Sequence, residues 1–308
     1  MAKLPLPALP TKRDLAIVKA KFDAWWLGEE FDATKIPERP SDGPPAGADD
    51  MLFDREDPAR HNPRFLALQR FWGEGRVTPG DSAAEALLPV RLAVQASGAL
   101  GLIGPGLIAP VSAMAVAHPG ELRLYEWRDL AAQALNVGVQ RSGLKSRAQA
   151  HLFDLETGQL EAESLDGVVC FDAFTFCAHP SRLAVQIAKA LKPNCGVVIE
   201  TYVGASGPQN AAAFASSFLE PQIQAVETLT ALLFEAGLRI ESEADLTDQH
   251  LEQARAGLRR LAEGLGGPPQ LTAAALREVA WEAEAWRARK ALLSQGALRR
   301  RMIHAIRR

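Results

Sequence analysis

Between residues 166 and 203 the chain reads DGVVCFDAF, then SRLAVQIAKALKPN, then CGVVIETYV. The outer two stretches are near-continuous apolar runs, the pattern of strands buried on both faces. The middle one repeats its apolar residues at helical spacing and stops at Pro193 and Asn194. A strand, an amphipathic helix and a second strand in that order demand a parallel pair joined by a crossover. The rhythm continues on either side. ELRLYEW predicts a strand before the helix RDLAAQALNVG, and AQAHLFDL predicts another. The helical tract PQIQAVETLTALLFEAG leads into a strand at LRIESEAD, and two further helices run to about residue 293. RMIHAIRR then predicts a last edge strand. The expected fold class is α/β, doubly wound around a mostly parallel sheet.

Ahead of the sheet the pattern is helical. The first dozen residues carry three prolines and predict a loose arm. Thr11 can cap a helix through DLAIVKAKFDAWWLG, and residues 35–50 are dense in Pro, Gly and Asp, as in a loop. RFLALQRFWGEG predicts a second helix ended by Gly73 and Gly75, and TPGDSAAEALLPVRLAV a third. This divides the chain into an arm and helical cap over 1–84 and a sheet domain over 85–308, with a helical insertion at about 247–293.

Composition limits the partners. With 308 residues, 47% hydrophobic, and a net charge of −3, the chain has no electrostatic reason to bind nucleic acid. The C-terminal arginines, without interleaved aromatics, predict a solvated strand end. No stretch approaches the roughly 20 apolar residues of a membrane span, and MAKLPLPALPTKRD lacks the apolar core of a signal peptide. Three cysteines without CxxC spacing suit a reducing compartment. A cytoplasmic protein is expected.

The segment 167–203, with its LKPNCG turn, resembles the second half of class I S-adenosylmethionine (SAM)-dependent methyltransferases. There a strand ending near an acid is followed by a helix that closes on a variant of LKPGG. FEAGLRIESEADLT is similar to the helix-to-strand passage that follows in the same family, and RFWGEGRVTPGD to the entry helix of some bacterial small-molecule members. The resemblance implies a Rossmann-like seven-stranded sheet with an N-terminal helical cap and a helical insertion before the last strand. It also implies that GALGLIGPGLIAP (98–110) is the glycine-rich first loop, whose family pattern is acid-x-Gly-x-Gly-x-Gly. Registering the final glycines places Gly104 and Gly106 on the second and third family glycines. Leu102 then stands on the first glycine and Leu100 on the acid, so the loop reads as degenerate. Pro105 further stiffens it and deletes a backbone donor.

The same resemblance assigns roles by position. Glu126 matches the acid that holds the ribose hydroxyls, Asp154 the acid that holds the adenine amino group, and Asp172 follows the fourth strand near the point of transfer. For each, an ordinary acid at a strand end or turn is the competing reading. His179 is the ionisable side chain available there as a general base, although a His before Pro is also an ordinary loop residue. Glu200 and Tyr202 can line a substrate pocket. Cys177 and His179 are too few for a metal site. The Trp25–Trp26 pair, Trp72, Trp281 and Trp286 predict packing of helices on the sheet, a lid over the pocket, or a seam compatible with a homodimer.

Two functions follow. One is a methyltransferase-fold protein whose cofactor site is impaired or lost, kept to bind or regulate, with a small molecule or a protein as partner. The other is an active SAM-dependent methyltransferase acting on a small molecule or lipid. In the first no cofactor is expected; in the second it is SAM. A dinucleotide site built on Gly98, Gly101 and Gly104 is the weakest option, because a lone glycine pattern carries little.

Overall fold

The computed structural model describes residues 57–204, 223–264, 267 and 270–308. The expected N-terminal arm, the helix at 14–28, the loop at 35–50 and the Trp25–Trp26 pair lie outside these residues. The chain enters through two short helices, α1 (Pro58–His61) and α2 (Pro63–Trp72), and continues through α3 (Ser82–Ala86) and α4 (Leu88–Arg91). The sheet region then runs β1 (Ala99–Ile103), α5 (Ile108–Ala117), β2 (Glu121–Glu126), α6 (Asp129–Arg141), β3 (Ala148–Leu152) and β4 (Leu165–Phe171). It continues with α7 (Ala173–Phe176), α8 (Pro180–Ala190), β5 (Leu191–Gly204), β6 (Gln224–Ala225), α9 (Val226–Glu235) and β7 (Leu238–Asp245). Two long helices, α10 (Thr247–Gly264) and α11 (Ala273–Ser294), precede β8 (Leu298–Arg307).

Seven strands lie in the order β3-β2-β1-β4-β5-β8-β7, and the two-residue β6 joins β5 off that path. Only β8 runs against its neighbours. The expected fold class is therefore the observed one. Sequential strands pair outward from β1 in one direction and from β4 in the other, which leaves a crevice at their carboxyl ends where the order reverses.

Period-two alternation splits the strands between two cores. Leu100 and Leu102 of β1 join Leu122, Leu124, Val169 and Val198 against α5 and α6. Ile103, Val168, Cys170, Val197 and Ile199 face the other way, onto α8 and α9. A third cluster is mostly helical, with Phe65, Phe71 and Trp72 of α2 set against Leu258 of α10 and Trp286 of α11. Trp72 and Trp286 meet with ring centroids 5.1 Å apart. The tryptophans of the cap and of the late helices thus share one roof over the sheet. Asn62 fixes the start of α2 by accepting from the backbone of Arg64 and Phe65, with Pro63 in the first turn.

Two expectations are corrected. Residues 99–103, read as part of a glycine loop, are β1, so Leu100 and Leu102 are strand residues that are fully buried. A strand covered on both faces carries no alternation, and Gly101 disguised it further; its absent side chain makes room for Leu165. The closing strand is not at an edge: β8 lies between β5 and β7. The LKPNCG turn is a bulge, because the register between β4 and β5 shifts between Leu165↔Leu191 and Gly167↔Gly196. Asn194 sits in it at φ +63°, the left-handed conformation that Asn tolerates.

Candidate functional site

The turn after β1 is Gly104-Pro105-Gly106, with φ near +73° and +74° at the two glycines. Such values, and close approach to neighbours, are what glycine supplies. A Cβ on Gly104 would overlap the Trp127 ring and the Phe171 carbonyl oxygen, and one on Gly106 would overlap Val77. The turn is formed; Trp127 packs against Gly104 and Val77 against Gly106, and Gly104 and Pro105 also line the cavity described below. Leu100 and Leu102 do not crowd it, since both point into the core under α5 and α6.

Glu126 ends β2 and is 0% exposed. Its Oε2 accepts from the Gly106 N–H at 2.9 Å and from Arg128 Nη2 at 2.9 Å. Its Oε1 accepts from Arg128 Nε at 2.6 Å and from the Arg128 N–H at 3.1 Å. The guanidinium of Arg128 also lies over the Trp127 ring, 4.6 Å from its centroid. Both carboxylate oxygens therefore already have partners. Asp154 is exposed, and its oxygens hold the turn 154–157 through the N–H groups of Glu156 and Thr157 and the Thr157 hydroxyl. His179 lies at the exposed start of α8, outside the cavity described next, with its N–H donating to Glu156.

At the carboxyl ends of β1, β4 and β5 a cavity of about 450 Å³ opens between sheet and roof. Asp172 and Glu200 line its floor, with Arg300 from β8 between them. Arg300 bonds Asp172, stands 3.6 Å from Glu200 and covers the Tyr202 ring at 4.9 Å. Asp172 is itself left-handed at φ +55°. Burial lifts the Glu200 carboxyl above its usual range, and Arg300 only partly opposes this. Burial also disfavours the Arg300 cation, but Asp172, Tyr202 and Glu200 outweigh it and hold the guanidinium charged. Tyr202 packs below, donating to or accepting from His250 Nε2 at 2.6 Å. Of the two expected pocket residues, Glu200 meets the cavity and Tyr202 supports it from beneath.

Burial, then Arg300 and Arg289, drive His250 well below the ordinary histidine range, so the imidazole is neutral. Below pH 6.5 the unfolded chain takes up a proton there that the folded chain refuses. Stability must then fall as pH drops toward the lower folded value, by about 1.4 kcal/mol per pH unit for this one group. His250→Gln will flatten the unfolding free energy measured against pH in that window. An unchanged profile would show that His250 titrates normally.

The sequence reading missed Arg300, Arg128, Trp127 and His250. Arg300 left a signal: in a strand it shares a face with Leu298 and Met302, and all three are buried, whereas Arg299 is exposed. The expectation of a solvated arginine cluster is corrected on that ground. Among the described residues no group of three or more His, Cys, Asp or Glu could hold a metal, and no helix is long and apolar enough to cross a membrane.

No family model and no curated protein matches the sequence. Solved structures match its shape. One from Galdieria sulphuraria, named as a sarcosine dimethylglycine methyltransferase, aligns with 80% of this chain and 98% of its own at 13% identity, with a TM-score of 0.65. The chain folds as a class I methyltransferase. The phosphoethanolamine N-methyltransferase 2 of Haemonchus contortus gives a TM-score of 0.68 at 16% identity, over 81% of this chain and 59% of that one. The [4+2]-cyclase SpnF gives 0.58 at 15% identity, over 73% and 80%. At the expected cofactor positions the side chains already have partners within the protein, while Gly104, Trp127, Arg128 and Asp172 line the cavity. Glu126 has both oxygens occupied, Trp127 covers Gly104, and Asp154 is tied into its turn.

Proposed function

We propose that this chain is a cytoplasmic methyltransferase-fold protein that has lost SAM binding at the family position and works as a binding or regulatory module through the cavity. The observation that carries this reading is the closed Glu126–Arg128 pair, fully buried on the carboxylate side and sealed by the Gly106 N–H. To hold a ribose, Glu126 would have to release a guanidinium, and charge-assisted bonds of that kind contribute about 1.5–3 kcal/mol each. The three free cysteines fit a reducing compartment.

The competing reading is an active SAM-dependent methyltransferase acting on a small molecule or lipid. One observation favours it: the two left-handed glycines keep the turn after β1 tight. Under it Gly104, Gly106, Glu126, Asp154 and Asp172 would meet the cofactor, once Arg128 had swung away. Titration calorimetry with SAM and with S-adenosylhomocysteine separates the two. No binding of either is expected in the wild type, and micromolar affinity for S-adenosylhomocysteine would overturn the proposal. Arg128→Ala, which removes the guanidinium from Glu126 and leaves only the two backbone N–H donors, is expected to raise affinity for both from that baseline.

A further inference from the structure

Among the described residues most charges around the cavity have an ion-pair or hydrogen-bond partner. Arg76 takes Glu85 through two bonds of 2.6 and 2.7 Å. Arg128 takes Glu126, and Arg300 takes Asp172. In the roof Arg64 and Arg289 share Glu282, and Glu278 stands 3.6 Å from Arg64. Asp81 caps α3 at the rim. Glu200 remains. Its nearest guanidinium nitrogen is 3.6 Å away, beyond hydrogen-bond reach, on an arginine already held by Asp172. The floor of the cavity therefore carries one carboxylate more than its arginines answer.

The walls are aromatic. Phe65, Trp127, Phe171, Phe176 and Trp281 all line the space. Two of these rings already hold cations of the protein itself: Arg128 lies over Trp127, and Arg64 over Trp281 at 4.4 Å. A desolvated ring face attracts a further cation in the same way. An anion would meet the second carboxylate of the floor; in the roof Arg64 and Arg289 are both ion-paired to Glu282, although Arg64 Nη1 makes no hydrogen bond. A neutral guest would leave the Glu200 carboxylate, 21% exposed, with only Arg300 at 3.6 Å to answer its charge.

We infer that the cavity is a binding site for a small organic cation, an ammonium group on an apolar body, whose charge sits against Glu200 and whose body lies among the aromatic walls. This rests on the reading of the cavity as the working site. Burial already raises the Glu200 carboxyl pKa, as expected of a carboxylate that lacks a full partner.

The test is calorimetry with probes that share a phenyl body: 2-phenylethylammonium and its N,N,N-trimethyl derivative as cations, 2-phenylethanol as the neutral form, and 3-phenylpropionate as the anion. The cations are expected to bind at least about tenfold more tightly than the other two, the size of one charge-assisted contact. Glu200→Gln, close in shape and without the charge, is expected to fold as stably and to abolish the preference. Should that variant fail to fold, Glu200→Asp keeps the charge and must keep the preference. Equal or reversed affinities, no binding of either cation, or a preference indifferent to Glu200→Gln would overturn the inference. S-adenosylhomocysteine, a thioether without the sulfonium charge, is titrated alongside. Its binding would overturn the loss of the cofactor site and leave the cation site standing. Its absence together with inert cations would overturn the cation site alone.

Discussion

Arg300→Met is expected to remove about 3–5 kcal/mol of folding free energy, the cost of breaking an ion pair whose guanidinium is buried and whose carboxylate is only 13% exposed. Arg300 is buried, and in one place it neutralises Asp172, stands beside Glu200 and covers the ring of Tyr202. Methionine approximates its length and fills the space between β5 and the roof, so the loss will come from charge more than from a void. Denaturant unfolding measures it directly. Arg299→Met serves as the control: that side chain is 46% exposed and 3.9 Å from Asp245, so its loss should cost under about 1 kcal/mol. Adding Asp172→Asn to Arg300→Met should recover part of the stability, because the stranded charge goes with it. A loss of less than 1 kcal/mol for Arg300→Met alone would mean that the floor of the cavity is wetter than its burial indicates.

That prediction could not have been made from the order of residues. Arg300 and Asp172 are 128 positions apart, and Arg64 and Glu282 are 218 apart. Nothing local announces that they will share a cavity. What was legible is what short-range physics writes into a chain: the apolar runs of β4 and β5, the amphipathic stripe of α8 with Leu183, Ala184 and Ile187 inward, and the left-handed Asn194. The parallel sheet follows from these. β1 was hidden because Leu-Gly-Leu-Ile has neither alternation nor a polar face, and its glycine resembled a loop. β8 was taken for an edge because RMIHAIRR is a short, β-branched run at the close of the chain, and its arginines were separately read as solvated, while its alternation put Arg300 inside. At the cofactor position the family pattern singled out Glu126, and the structure places it at the end of β2, fully buried and not solvated. It could not show that Trp127 and Arg128, the next two residues, fold back onto the glycine turn and onto that acid.

Leu100→Asp combined with Leu102→Gly tests the place of the two leucines most severely. If they stood in the loop, the pair of changes would rebuild a family-like acid and glycine, and SAM affinity would rise. In the structure both are 0% exposed and packed with Met114, Leu122, Leu124, Val169 and Val198. Aspartate at 100 would bury a carboxylate in a layer that offers it only apolar neighbours. Glycine at 102 would remove a leucine from the centre of β1 and loosen the strand that pairs with both β2 and β4. Deleting one buried leucine side chain costs about 2–5 kcal/mol by itself. Together with the unpaired charge, the loss should match or exceed the 5–15 kcal/mol that usually holds a domain folded. The double variant is therefore expected to lose its cooperative thermal transition and to aggregate, whereas Arg128→Ala, which leaves the leucine layer intact and strips the guanidinium from the buried Glu126, is expected to lose about 3–5 kcal/mol and still to unfold cooperatively. A soluble double variant with a wild-type melting curve and new affinity for SAM would return the leucines to the loop.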